Sequence, residues 1–180
     1  MRTLFIPATS RSKLNKLKIL EISRKLPKNI AVAYSIQYKE IAEEIKEILF
    51  NKHTVTKFAQ VLGCSKPQFL KDTQAILLIS DGKFHAVSLG IETKLPIYLL
   101  NNNSFTQISK QEIQILENKQ KASYLKFLNA DNIGILVSTK PGQENLKRAL
   151  DFKKQQKTKT SYLFIGNEIN VSEFENFPQI

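Results

Sequence analysis

The chain has 180 residues, 42% hydrophobic and 24% charged, enough for one medium domain or two small ones with a true core. No apolar run approaches the roughly 18 residues of a membrane span, and the apolar patch before Pro7 is too short for a secretory leader. The net charge is +11, yet no aromatic-interleaved basic motif or zinc-finger spacing accompanies it, so direct nucleic-acid binding is not expected.

"TLFIPA" (residues 3 to 8) is a short apolar run. A lysine-rich helix pattern over residues 10 to 28 follows, with Leu14, Leu17, Leu20 and Ile22 as its apolar positions and Pro27 as its stop. "NIAVAYSIQ" (29 to 37) reads as a strand and opens into a helix in which Ile41, Ile45, Ile48 and Leu49 recur at helical spacing. "HTVTKFA" (53 to 59) is the next strand. "QAILLISDG" (74 to 82) is apolar until Asp81, as a strand buried on both faces should be. A short helix over 85 to 94 and a strand over 95 to 102 complete this part.

A long helix is predicted over 109 to 130, where Ser109 and Glu112 have capping-box spacing. Then come a strand (132 to 139), the loop "KPGQ", a second lysine-rich helix (144 to 156) and a strand (160 to 169). In both lysine-rich helices the basic residues read as a solvated face. Alternating strands and helices imply α/β architecture with parallel strands. The expected organisation is a parallel-sheet three-layer domain over 1–108, a connecting helix over 109–130, and an incomplete second α/β domain over 131–180. Two strands rarely make a stable sheet alone, so something else is expected to complete that second domain.

Ligands collect beyond the carboxyl ends of strands in such sheets. Those ends carry Ser35 and Gln37, then Asp81, Gly82 and His85, then Ser138 to Gln143, then Gly166 to Glu168; the lone Cys64 lies in the loop before the buried strand. Each has a plain structural reading as well. Asp81-Gly82 can be a turn with Gly82 at positive φ, His85 can cap the following helix, and "KPGQ" can be a turn built on Pro141 and Gly142. No Walker loop, dinucleotide fingerprint or zinc spacing involving His53 and His85 is present. Cys64 can be a small buried apolar residue or a ligand to a shared site. A single cysteine and no leader fit a reducing cytoplasm.

"QVLGCS", "AILLISDGKFHAVSLGIETKLPIYLLNN", "GILVSTKPGQENLKRALDFKK" and "SYLFIGNEINVSEFENFP" follow one another as in a known family. The chain resembles the 3-amino-3-carboxypropyltransferase that begins diphthamide synthesis on a histidine of translation elongation factor 2. "DGKFHAVSLGIETKLPIY" is similar to the family's glycine-x-phenylalanine-histidine segment, although Lys83 replaces the usual arginine and Ala86 a frequent proline. "VSTKPGQ" resembles the archaeal form at the start of its third domain.

The resemblance implies three related α/β domains, each giving one cysteine to a [4Fe–4S] cluster whose open iron binds S-adenosylmethionine. The reduced cluster cleaves the bond to the methionine γ-carbon, and the released group goes to the imidazole. Residues 1–108 resemble the middle domain with its connector, and 131–180 the start of the third. Cys64 falls on the middle domain's metal ligand; the family's third cysteine would come shortly after Ile180. By the same carry-over, Gln37, Asp81, Gly82, His85, Lys140, Gly142 and Gln143 are candidates for binding the cofactor.

The first functional expectation is therefore a split subunit, inactive alone, whose complementary chain supplies the missing domains and cysteines within a homo- or hetero-oligomer. The alternative is a truncated, non-catalytic paralogue that serves as a scaffold. A fragment of a longer enzyme and a charge-driven nucleic-acid module are the further readings.

Overall fold

The structure is a computed structural model and describes residues 4, 8–10, 15–62, 67–102, 104–170, 173 and 177. Cys64 lies outside the described residues, as do Leu14 and most of the apolar run at 3 to 8. The chain divides into two compact units, one of residues 5–118 and one of residues 1–4 with 119–180.

In the 5–118 unit the elements are α1 (Lys16–Ser23), β1 (Asn29–Tyr34), α2 (Lys39–Phe50), β2 (Thr54–Gln60), β3 (Ala75–Ile79), α3 (Lys83–Thr93), β4 (Ile97–Asn101), β5 (Ser104–Gln107) and the first half of α4 (Lys110–Asn129). The strands form a sheet of order β2-β1-β3-β4-β5, in which the first four run parallel and β5 returns antiparallel.

Strand periodicity sorts the core into two layers. Ile30, Val32 and Tyr34 of β1 face Ile19 and Ile22 of α1 and Ala42, Ile45 and Leu49 of α2. Ala31 and Ala33 face the other way, with Ala86 and Leu89 of α3. The result is the expected α/β three-layer unit. All five β3 residues are buried, as a strand covered on both faces requires. Fully burying each large aliphatic residue there contributes about 1.5–3 kcal/mol.

Small residues set the helix spacing on the α3 side. A Cβ on Gly90 would lie 2.8 Å from Ile113 Cδ1, so the glycine lets the start of α4 approach α3. α3 ends where Lys94 turns left-handed (φ 59°) and its N–H returns to the Gly90 carbonyl at 3.0 Å.

Two buried polar links fix the other side. His53 Nδ1 donates to the Pro27 carbonyl (2.8 Å), and its Nε2 meets the Ser23 hydroxyl (2.8 Å). A bulge opposite Ile30 and Ala31 leaves Thr56 extra in β2, where its hydroxyl donates to the Ile30 carbonyl at 3.2 Å.

The apolar face of α1 agrees with the expected one at Ile22 and differs at Leu17 and Leu20. Ile19 and Ile22 are buried, whereas Leu17 is 74% exposed. Ile19 and Ile22, three residues apart, share the face that meets the sheet, and Leu17 lies off it.

The second unit holds the rest of α4, then β6 (Asn132–Ser138), α5 (Leu146–Gln155) and β7 (Thr160–Gly166). β6 and β7 form a parallel two-stranded sheet joined through α5. Ile133 and Val137 are its buried hydrophobic residues among those described. Lys159 ties the end of α4 to this sheet: its ammonium donates to the carbonyls of Leu128 (2.7 Å) and Ala130 (2.5 Å). It also lies over the Phe127 ring.

Candidate functional site

Parallel pairing brings the carboxyl ends of β1 to β4 to one edge of the first unit's sheet. Gln37 follows β1 in a single 3-10 turn over Ile36–Tyr38. Asp81 and Gly82 follow β3, and Asn101 ends β4. The Gln37 side-chain amide donates to Asp81 Oδ2 at 3.4 Å, and the Asn101 amide donates to the Asp81 backbone carbonyl at 3.0 Å. Three strand ends are thereby linked through Asp81, one by its carboxylate and one by its backbone carbonyl.

Tyr38 lies behind this cluster and is buried. Burial raises its phenol above the usual range, and the Asp81 charge adds to the rise; a hydrogen bond with Ser10 acts against it. The hydroxyls of Ser35 and Ser80, following β1 and β3, are buried without a hydrogen-bond partner among the described residues.

Gly82 is the N-cap of α3, with φ −131° in the extended region and no side-chain cap. The positive-φ turn is therefore not what places glycine here. A Cβ at this position would meet nothing within 4 Å, so the glycine leaves open space before the helix. His85 sits inside the first turn of α3, edge-on to the exposed Phe84 ring (centroids 5.8 Å apart), rather than capping the helix.

The first turn of α3 is pinned from α4. Lys83 pairs with Glu112 at 3.0 Å. Glu112 also closes the expected capping box: Ser109 N–H donates to its carboxylate (2.9 Å), and its own N–H donates to the Ser109 hydroxyl (3.2 Å). These bonds and the Lys83 charge hold the Glu112 carboxyl down, from 4.5 to about 2.

In the second unit, Lys140, Gly142 and Gln143 share one turn. The Gln143 N–H donates to the Lys140 carbonyl at 2.9 Å, and Gly142 has φ 80°. Proline at the second position and left-handed glycine at the third make it a type II turn. The Lys140 ammonium pairs with Glu168 at 3.0 Å, and the Ser138 hydroxyl donates to the Asn167 carbonyl at 3.3 Å. The loops after β6 and β7 are thus stapled together. Gln143 lines a cavity of about 280 Å³ with Arg148, Asn145 and Ser138.

A larger groove of about 760 Å³ lies at the opposite end of the first unit's sheet. It is lined by Pro67 to Lys71 and Thr73 before β3, by Thr93 at the end of α3 and by Leu95, and none of the candidate residues among those described lines it.

Gln37 and Asp81 are thus in contact, Gly82 and His85 begin the adjoining helix, and Lys140, Gly142 and Gln143 form a separate turn. Asn101 and Tyr38 were not singled out from the sequence. The signal for Asn101 was its place at the end of a fourth parallel strand; Tyr38 gave none, being one more aromatic at a helix start.

A cluster bound as the resemblance implies takes three thiolates, and this chain has one cysteine. Among the described residues no group of three or more His, Cys, Asp or Glu side chains converges. This chain's own residues do not form a complete [4Fe–4S] site.

The model of the diphthamide synthesis protein family matches residues 1–180. The chain is 28% identical over 193 aligned positions to the 2-(3-amino-3-carboxypropyl)histidine synthase of Pyrococcus horikoshii, covering 98% of this chain and 55% of that one. Its identity to the synthase of Methanocaldococcus jannaschii is 27%, over 79% of this chain and 42% of the relative. The fold matches the crystal structure of Dph2 from Pyrococcus horikoshii with a TM-score of 0.77 at 24% identity, over 94% of this chain and 54% of that one. It matches the form of that protein with a 4Fe-4S cluster with a TM-score of 0.76. The chain spans about half the length of the relatives it matches.

Proposed function

The chain belongs to the diphthamide synthesis protein family, and from that premise we propose that it is a subunit of a split 3-amino-3-carboxypropyltransferase. The completed enzyme transfers that group from S-adenosylmethionine to a histidine of translation elongation factor 2. A complementary chain supplies the remaining cysteines, and Cys64 is this chain's contribution to the shared cluster. The observation that supports the reading is a family match along residues 1–180 together with a single cysteine where the shared cluster calls for three thiolates.

What this chain brings is a scaffold and an edge. The Asp81 carboxylate, held by the Gln37 amide while Asn101 holds the Asp81 backbone carbonyl, offers negative charge to a sulfonium at the strand tips. Gly82 leaves room for a ligand to approach α3. The Lys140–Gln143 turn presents amide and ammonium donors suited to the carboxylate of an amino acid. Gln37, Asp81, Gly82 and His85 in the first unit, and Lys140, Gly142 and Gln143 in the second, are the proposed cofactor-binding residues, each set taken within its own unit. The long helices give no candidate span: among the described residues none is apolar enough to cross a membrane.

The test is reconstitution. Elongation factor 2 is incubated anaerobically with S-adenosylmethionine, reductant and either this chain, its complement, or both, and the target histidine is read by mass spectrometry. Modification with both chains and with neither alone is the expected result. A pair that remains fully active with Cys64→Ala would make this chain a scaffold instead.

A further inference from the structure

The two units share a repeat. "NIAVAYS" (29 to 35) in the first corresponds to "NIGILVS" (132 to 138) in the second. In each, the strand is followed by a helix and then a parallel strand, with Asn29 opposite Thr54 and Asn132 opposite Thr160. Even the entry bond recurs: Thr54 N–H donates to the Lys28 carbonyl and Thr160 N–H to the Asp131 carbonyl, both at 2.8 Å. β6 and β7 are therefore the counterparts of β1 and β2.

The difference is on the other side. β1 is a central strand, and its second edge is filled by β3. Gln74 N–H donates to the Asn29 carbonyl (2.9 Å), and Ser35 N–H to the Ile79 carbonyl (3.1 Å). β6 has no strand there among the described residues. Asp131 and Thr139 bond toward β7, so by strand alternation Asn132, Gly134, Leu136 and Ser138 direct their backbone groups outward.

β6 nonetheless has the composition of an interior strand, apolar on both faces and free of charge. Leu136 is 44% exposed, and on β7 Tyr162 and Ile165 are 44% and 55% exposed. Native edge strands are usually protected by charge or bulges. β2, the edge of the complete sheet, has both Lys57 and a bulge.

We infer that the outward edge of β6 is the docking site for the complementary chain, which adds a parallel, uncharged aliphatic strand there as the counterpart of β3. This rests on the split-subunit reading and deepens it, by naming the edge and the strand chemistry. A second copy of this chain does not fit the repeat, because a two-fold axis between two β6 edges gives antiparallel pairing. The β3 counterpart is parallel.

The test uses the full chain and, as probe, the cysteine-bearing polypeptide of the same family from the same genome, expressed separately. Leu136→Pro deletes one outward N–H without touching the bonds to β7, and Leu136→Lys places a charge on the same edge. Leu163→Pro makes the equivalent change on the far edge of β7. Circular dichroism establishes that each variant is folded.

Binding is expected to weaken by about 10- to 100-fold with Leu136→Pro, which leaves a partner carbonyl buried and unpaired. Leu136→Lys should act in the same direction, and Leu163→Pro should leave the affinity unchanged. In the complex, exchange of the Gly134, Leu136 and Ser138 amides should slow by at least about tenfold. Normal binding by both Leu136 variants, with those amides still exchanging, overturns the docking edge and leaves the split-subunit reading standing. No such polypeptide in the genome, or no complex with it, overturns both. A dimer of this chain that is dispersed by Leu136→Pro assigns the edge to a second copy and overturns the inference.

Discussion

Replacing Glu112 with glutamine keeps a hydrogen-bond acceptor at the start of α4 and removes the charge that faces Lys83. The carboxyl is held down from 4.5 to about 2, first by the Ser109 N–H, then by Lys83. Taken at face value that fall is worth about 3 kcal/mol. The side chain keeps 35% of its surface in solvent, and screening brings the figure to about 1–1.5 kcal/mol, in line with a capping interaction. The folded group titrates below its unfolded value, so the stabilisation is complete above pH 4.5 and is lost as the pH falls toward 2.

Thermal melts of wild type and Glu112→Gln, taken in parallel from pH 7 downward, isolate this group because the other carboxylates cancel in the difference. The variant is expected to melt about 3–6 °C lower at neutral pH, with the gap closing between pH 4.5 and 2. A gap that is absent at pH 7, or that persists undiminished at pH 2, would refute the assignment of the capping box as an ionic anchor for the first turn of α3.

His53→Leu removes both buried hydrogen bonds at the α1–β1 junction and leaves Ser23 and the Pro27 carbonyl without their partner; a loss of about 2–4 kcal/mol is expected in urea unfolding. Gly142→Ala forces a side chain into φ 80° and should cost about 1–2 kcal/mol, together with a drop in activity of the reconstituted pair if the turn holds substrate. Leu77→Ala, in the fully buried centre of β3, should destabilise the first unit by about 2–5 kcal/mol, read from the same denaturation curve.

The parallel strands were legible because burial on both faces leaves uninterrupted apolar runs, and β3 is the clearest of them. The capping box was legible because it depends on two residues at fixed spacing. β5 was not: "SFTQ" is short and polar, and its partner register, Asn101 opposite Ser104, is set by a hairpin turn. The run of asparagines with Asn102 at φ 47° was the available signal. The inward face of α1 was legible at Ile22 but not at Ile19, because apolar pairs at i, i+3 occur on two faces of this helix and tertiary packing chooses between them. At the site, Asp81 and Gln37 could be placed at strand ends, but their contact depends on strand order, which no local pattern encodes. The parallel pairing of β6 and β7 was legible as a strand–helix–strand pattern; their correspondence to β1 and β2 becomes visible only through the register.

The central claim is that Cys64 serves a cluster this chain cannot hold alone. Iron and acid-labile sulfide, quantified per chain after anaerobic reconstitution of the isolated protein, of its complex with the complementary chain, and of that complex carrying Cys64→Ala, test it most directly. The account predicts no retained cluster for the isolated chain, one four-iron cluster per complex, and its loss or conversion in the variant. A stable four-iron cluster on the isolated 180 residues, or an unaltered one in the Cys64→Ala complex, would contradict it.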